Sequence, residues 1–131
     1  MKLITRDTDY AIRALCYSAG CPDRKVCAGE IVAELKIPRP FLRKILQLLS
    51  KKGIIRSYKG KGGGFKLAVS PAELLLADVI EIFQGPLKMN ECLFKKRVCR
   101  DVGSCVLKSK IDSIERRVIS ELKTITISSL M

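Results

Sequence analysis

The segment Lys59-Gly60-Lys61-Gly62-Gly63-Gly64 limits the fold of this chain more than any other. Four glycines in six positions do not extend a helix, because ordered glycine gives up more backbone freedom than any other residue. Two short strand-like runs, 54–58 and 65–69, flank the glycines, and together they predict a hairpin with a basic tip. A phosphate-binding loop is excluded, since no Gly-Lys-Ser/Thr leads from these glycines into a helix.

The stretch before the hairpin reads as three helices. Thr5 is an N-cap candidate and Gly20 a C-terminal stop, with Ala11, Ala14, Leu15 and Ala19 at helical spacing between them. Ile31, Val32 and Leu35 define a second, short helix from about Ala28. Pro38 and Pro40 break the pattern, and Phe41, Leu42, Ile45, Leu46 and Leu49 mark the inner face of a third helix ending near Gly53. After the hairpin, Ser70-Pro71-Ala72-Glu73 has capping-box spacing and predicts a helix through Ala77–Phe83, stopped by Gly85-Pro86. From about Ser104, Leu107, Ile111, Ile114, Val118, Leu122 and Ile125 recur every three or four residues as one long apolar stripe.

The expected fold is mostly α with a small β-hairpin wing: a winged helix-turn-helix domain plus a long C-terminal dimerisation helix. The expected units are a DNA-binding domain over 1–85, a cysteine-containing loop over 86–105, and a dimerisation helix and tail over 106–131. So small a domain has little surface left to cover the stripe, so Ile111, Ile114, Val118 and Leu122 are expected to pack against a second copy.

Charge identifies the partner. The formal net charge is +12, and between Leu35 and Ala72 lie ten Lys and Arg residues and no Asp or Glu. Ordinary solvated surfaces intersperse both signs, so this segment predicts contact with double-stranded DNA. A membrane-surface helix would need exposed apolar bulk on a single basic helix, whereas here the charge spans two helices and a hairpin. Arg39, Arg43, Lys44, Gln47 and Lys51 lie opposite the apolar face of the third helix, where they can enter a major groove. Arg43 is the foremost candidate for base reading, because a guanidinium pairs with guanine O6 and N7 in bidentate fashion. Lys59 and Lys61 suit the adjacent minor groove or its phosphates.

Other functions are set aside by what the chain lacks. It contains no histidine, which removes Ser-His-Asp and Cys-His nucleophilic sites and His-containing zinc fingers, so an enzyme is not expected. Charged residues at Arg6, Asp7, Asp9 and Arg13 interrupt any export signal, and the most apolar run, 74–83, falls well short of the roughly 20 residues needed to span a bilayer. A cytoplasmic location follows as an expectation, and there cysteines serve metals or redox chemistry more readily than structural disulfides.

Of the six cysteines, three are spaced Cys92-x6-Cys99-x5-Cys105 in the aperiodic loop. That spacing is wider than is usual for paired zinc ligands and suits a larger cluster in which each thiolate binds a different iron, although zinc or metal-free thiols are also compatible with it. Lys95, Lys96, Arg97 and Arg100 make the loop electropositive, which favours thiolates. A second group, Cys16-x4-Cys21-x5-Cys27, is a candidate for another metal or redox site, or simply for small buried residues.

Taken together, Asp9-Tyr10-Ala11-Ile12-Arg13-Ala14-Leu15, Ile37-Pro38-Arg39-Pro40-Phe41-Leu42, Gly60-Lys61-Gly62-Gly63-Gly64-Phe65, Leu76-Ala77-Asp78-Val79-Ile80 with Gly85-Pro86, and the cysteine triplet resemble the IscR/NsrR-type winged-helix regulators. The resemblance implies a homodimeric regulator, most often a repressor, on a palindromic operator. It also implies an iron-sulfur cluster held by Cys92, Cys99 and Cys105, with four irons and four sulfurs preferred over two and two, that senses nitric oxide, redox state or iron status. IscR-like members place a histidine three residues after the last cysteine, where this chain has Lys108. NsrR-like members use an acidic residue on the partner's first helix, and Asp9 matches that position, ahead of Glu91 and Asp101. The competing function is a zinc- or thiol-redox-dependent nucleic-acid-binding protein without such a cluster.

Overall fold

The computed structural model describes residues 2–88 and 106–131. Helix α1 spans Arg6–Ala19, α2 Ala28–Leu35, α3 Arg39–Lys51, α4 Leu76–Gln84 and α5 Val106–Leu122, with strands β1 Ile55–Tyr58 and β2 Gly64–Leu67 between α3 and α4 and a short 3₁₀ turn at Ser128–Leu130. The expected mostly α fold with a hairpin wing is the fold observed.

Local chemistry accounts for most of the boundaries. The Thr5 hydroxyl accepts from the Thr8 amide at 3.4 Å, capping α1, and Gly20 closes it. Lys36 takes the left-handed conformation at φ 57° to end α2, and Pro38 in extended geometry opens α3. The inner faces of these helices converge: Ala11, Ala14 and Leu15 of α1, Ile31 of α2, and Leu42, Ile45 and Leu49 of α3 form one buried core with Ile55, Phe65 and Val79.

The hairpin is antiparallel, with Ile55 opposite Leu67 and Tyr58 opposite Gly64. It is seated on the helical core through an isolated bridge in which Val26 and Phe65 exchange amide bonds of 2.9 and 2.8 Å. Gly64 makes that approach feasible, since at φ 153° a Cβ on it would stand 2.6 Å from the Val26 carbonyl oxygen.

Two features differ from expectation. The Ser70 capping box does not start α4. Its hydroxyl accepts from the Ala72 amide at 3.3 Å and its carbonyl accepts from Glu73 and Leu74, forming a turn, while α4 begins later with Leu75 at its cap. The reason lies at the other end of the chain. After α5 the chain turns back, the Leu76 amide donates to the Ile125 carbonyl and the Ile127 amide to the Leu74 carbonyl, both at 2.9 Å. This pairing holds residues 74–76 extended, and Ile127 is fully buried in the main core. The apolar stripe therefore ends as a helix at Leu122, and Ile125 belongs to a returning tail rather than to α5.

Candidate nucleic-acid interface

Arg39, Arg43, Gln47 and Ser50 recur along one exposed side of α3, and Ser57 and Lys59 face them from the wing. With Ala28 of α2 and Leu46 they line a single groove. The register of α3 is fixed at its first turn, where the Phe41 ring lies 6.3 Å from the Tyr10 ring and 4.3 Å from the Arg6 guanidinium carbon. Toward its tip the wing is held by Lys25, whose ammonium sits 4.4 Å from the ring centre of Tyr58, the last residue of β1.

Of the DNA-contact candidates, Arg39, Arg43, Gln47 and Lys59 are brought together in the groove, whereas Lys44 and Lys51 are exposed on its shoulder and Lys61 at the wing tip. That division follows helical geometry: at about 100° per residue, Arg39, Arg43 and Gln47 stay within a quarter turn while Lys44 and Lys51 drift to one side. Ala28 and Ser57 are groove residues that carry no charge signal, so charge patterning could not find them.

Behind the groove, a polar network fixes α2 against α1. Arg24 donates to Glu30 Oε1 at 2.8 Å and also to Oε2, and Tyr17 donates its hydroxyl to the same carboxylate. The Arg24 guanidinium, followed by the Tyr17 hydroxyl, holds the Glu30 carboxyl down at about 2, and the same contacts raise Arg24 further above its ordinary value. A second network, also unanticipated, ties the chain start to α4: Gln84 Oε1 accepts from the Thr5 amide at 2.9 Å and the Thr8 hydroxyl at 2.6 Å.

The cysteine candidates divide in two. Cys92, Cys99 and Cys105, with Glu91 and Asp101, lie outside the described residues. Cys16, Cys21 and Cys27 are described and are free thiols, and among the described residues no three Cys, His, Asp or Glu side chains converge to hold a metal. The candidate second metal site is therefore not formed there. Cys16 is half-buried on α1, where burial pushes its thiol up. Asp9 stands in the first turn of α1 with its side chain 44% exposed, paired to Arg13 Nε at 2.9 Å.

On α5, Leu122 is buried against Leu76 and Ile80 of α4, with Val118 packed beside them, so these two stripe residues are used within the chain. The stripe's other end is open: Leu107 is 67% and Ile114 39% exposed, and Ile111 is half-buried. Among the described residues no helix is long and apolar enough to cross a membrane.

A helix-turn-helix whose second helix shares a basic groove with a β-hairpin defines a winged-helix DNA-binding protein. The comparisons refine this. The family model described as "Rrf2: Iron-dependent Transcriptional regulator" matches residues 4–131, so the chain belongs to the Rrf2 family of transcriptional regulators and is a DNA-binding regulator, not an enzyme. A protein of Aquifex aeolicus (strain VF5) that carries the name of an HTH-type transcriptional regulator is 37% identical over 124 residues, covering 93% of this chain and 86% of its own. Among solved structures, CymR (YrzC), the global cysteine regulator of B. subtilis, superposes with a TM-score of 0.83 at 20% identity over 99% of this chain and 96% of its own. IscR of T. potens does so with a TM-score of 0.77 at 22% identity over 99% and 85%. At such identities the two structures share the fold with this chain and do not assign it to either subgroup.

Proposed function

We propose that this Rrf2 regulator is a homodimeric, cluster-sensing repressor that binds a palindromic operator. The observation that carries the reading is the place of the thiols: Cys105 immediately precedes Val106, the first residue of α5, and α5 is tied at its far end to the DNA-binding core. The donor set suits iron and sulfur, being three thiols in a stretch of sequence rich in Lys and Arg, and among the described residues no other group of metal ligands competes. When bound there, a cluster would supply an iron reactive toward nitric oxide and oxidants.

The chain's own residues account for the rest. Cys92, Cys99 and Cys105 would hold a cluster on the sequence that directly precedes α5. Leu122 against Leu76 and Ile80 joins α5 to α4, and the returning tail seats Ile127 in the core that backs α3. The open end of the stripe at Leu107, Ile111 and Ile114 suits a second copy, which would set the spacing of two recognition helices. Asp9 of the partner subunit would offer a carboxylate as the remaining ligand after leaving Arg13, a weaker donor than thiolate and more easily displaced.

Anaerobic purification with iron and sulfide counting tests the reading. Wild type should be brown and Cys99→Ala should lose iron and sulfide together, while Asp9→Ala keeps a cluster with an altered spectrum and faster reaction with nitric oxide. Stoichiometric zinc without sulfide in wild type would overturn it in favour of the zinc-dependent alternative. An Asp9→Ala protein identical to wild type would remove Asp9 from the ligand set.

A further inference from the structure

The groove between α3 and the wing is lined by charged and polar side chains except at two positions, Leu46 of α3 and Ala28 at the start of α2. Both are half-buried and pack in part against the main core. At about 100° per residue, Leu46 falls about 40° around α3 from Leu42 of the core and about 60° from Arg43 of the groove, so it lies where the two faces meet. Part of its surface therefore covers the core and part is presented to whatever enters the groove. Its neighbours there are donors: Arg39 and Arg43 on α3, Lys59 on the wing, and no carboxylate among the lining residues. Of the two apolar positions Leu46 is the one that can reach a base, because α3 is the helix that enters the major groove in this fold, whereas the helix before it crosses the backbone. The major-groove edge of a base pair consists of hydrogen-bond donors and acceptors with one exception, the C5 methyl of thymine. An apolar surface laid on a donor or acceptor strips water from it and returns no bond, whereas against the methyl two apolar surfaces leave water together.

We propose that Leu46 is a specificity-determining residue that recognises the 5-methyl group of a thymine in the DNA site. The inference rests on the groove as the DNA-contacting face and is independent of the cluster and of the dimer. It divides the work along α3: the cations and Gln47 meet phosphates and polar base edges, and Leu46 discriminates thymine from cytosine at a position where no hydrogen bond is made. Leu46 follows Arg43 by three residues, a rise of about 4.5 Å along the helix, which is a little more than one base-pair step of about 3.4 Å. The thymine therefore lies within about two base pairs of the guanine assigned to Arg43. Charge patterning gives no hint of such a contact, and helical periodicity alone counts Leu46 with the core.

The test uses the full chain, purified anaerobically with its cofactor content as isolated, and a site enriched from random-sequence duplex DNA. Each thymine of that site is replaced in turn by deoxyuridine, which removes the methyl and leaves every hydrogen-bonding group, and affinity is read by fluorescence anisotropy. Wild type should lose about fourfold at one thymine for each bound copy of α3, the ~0.8 kcal/mol of one buried apolar carbon. Leu46→Met, which keeps an apolar surface, should retain that difference. Leu46→Ala should bind the thymine and deoxyuridine sites equally, and so should Leu46→Gln, which keeps the volume and serves if the alanine variant fails to fold in circular dichroism melts. A wild-type scan in which no thymine responds overturns the proposal without reference to any variant, as does a chain that enriches no preferred site. An undiminished response in folded Leu46→Ala or Leu46→Gln overturns it too. Arg43→Ala separates this inference from the groove on which it rests: if Arg43→Ala loses affinity while the thymine scan is flat, only the role of Leu46 falls, and if Arg43→Ala binds like wild type, the groove falls and Leu46 with it.

Discussion

Arg43 illustrates how one side chain can serve both geometry and chemistry. It is exposed on α3 between Arg39 and Gln47 and lines the groove between α3 and the wing, and we propose that its guanidinium reads a guanine edge there. Arg43→Ala should therefore cost roughly 1–3 kcal/mol on the operator and much less on random DNA, as measured by fluorescence anisotropy on both. Equal losses on the two would reduce Arg43 to a phosphate contact. Glu30 makes a different kind of prediction. Its folded carboxyl titrates at about 2 against an ordinary value of 4.5, chiefly because Arg24 donates to it. A depressed folded value means the carboxylate contributes stability above the unfolded value, and that contribution is lost as pH falls from 4.5 through about 2. Wild type should thus lose melting temperature across that window more steeply than Glu30→Gln, which has no carboxylate to protonate. Parallel slopes for the two proteins would show that the network does not couple to folding.

At the scale of the elements, periodic positions were the most legible. The inner faces of α1 and α3 and the hairpin follow from helical spacing and from the glycines, because each of those signals is local. The start of α4 was not legible, because it is decided by a partner more than forty residues away in sequence: Ile125 and Ile127 hold residues 74–76 extended and override the Ser70 capping box. The returning tail carries no periodic signal of its own, so Ile125 read as one more turn of the stripe. Gln84 was invisible for a related reason, since a lone glutamine gives no pattern and its role appears only when α4 meets the chain start. The wing depends on a close approach that sequence could place but not explain. Gly64 combines φ 153° with the Val26 carbonyl pressed where a Cβ would be, and L residues rarely adopt that backbone. Gly64→Ala should lower stability by about 1–3 kcal/mol in denaturant melts and free the wing from the Val26 segment that leads into α2, weakening operator binding beyond the effect of Lys61→Ala. A protein that melts like wild type would mean that the Val26–Phe65 bridge yields at little cost.

Across the whole molecule, charge is divided in space as it is along the chain. The groove and its shoulders carry Arg39, Arg43, Lys44, Lys51 and Lys59 with no carboxylate among them, whereas the cavity between α4 and α5 mixes Asp78, Glu81 and Glu115 with Lys88 and Lys123. Cations gathered without acids on one face steer that face toward DNA, so encounter should be fast at low salt. The same arrangement fixes how affinity responds to ions. Each phosphate neutralised releases condensed counterions, and the proposed dimer, with the α3 and wing cations of both copies on one operator, would engage six or more phosphates. Operator affinity should then fall by roughly a thousandfold or more between 50 and 200 mM salt, with a linear log–log slope. Lys61→Ala should make that slope shallower by about one for each subunit in contact, whereas the Arg43→Ala loss should persist at every salt concentration. Anisotropy titrations over that range decide the matter. A flat response would remove the basic face as the binding surface, and a slope half as steep as expected would place a single copy, not two, on each operator.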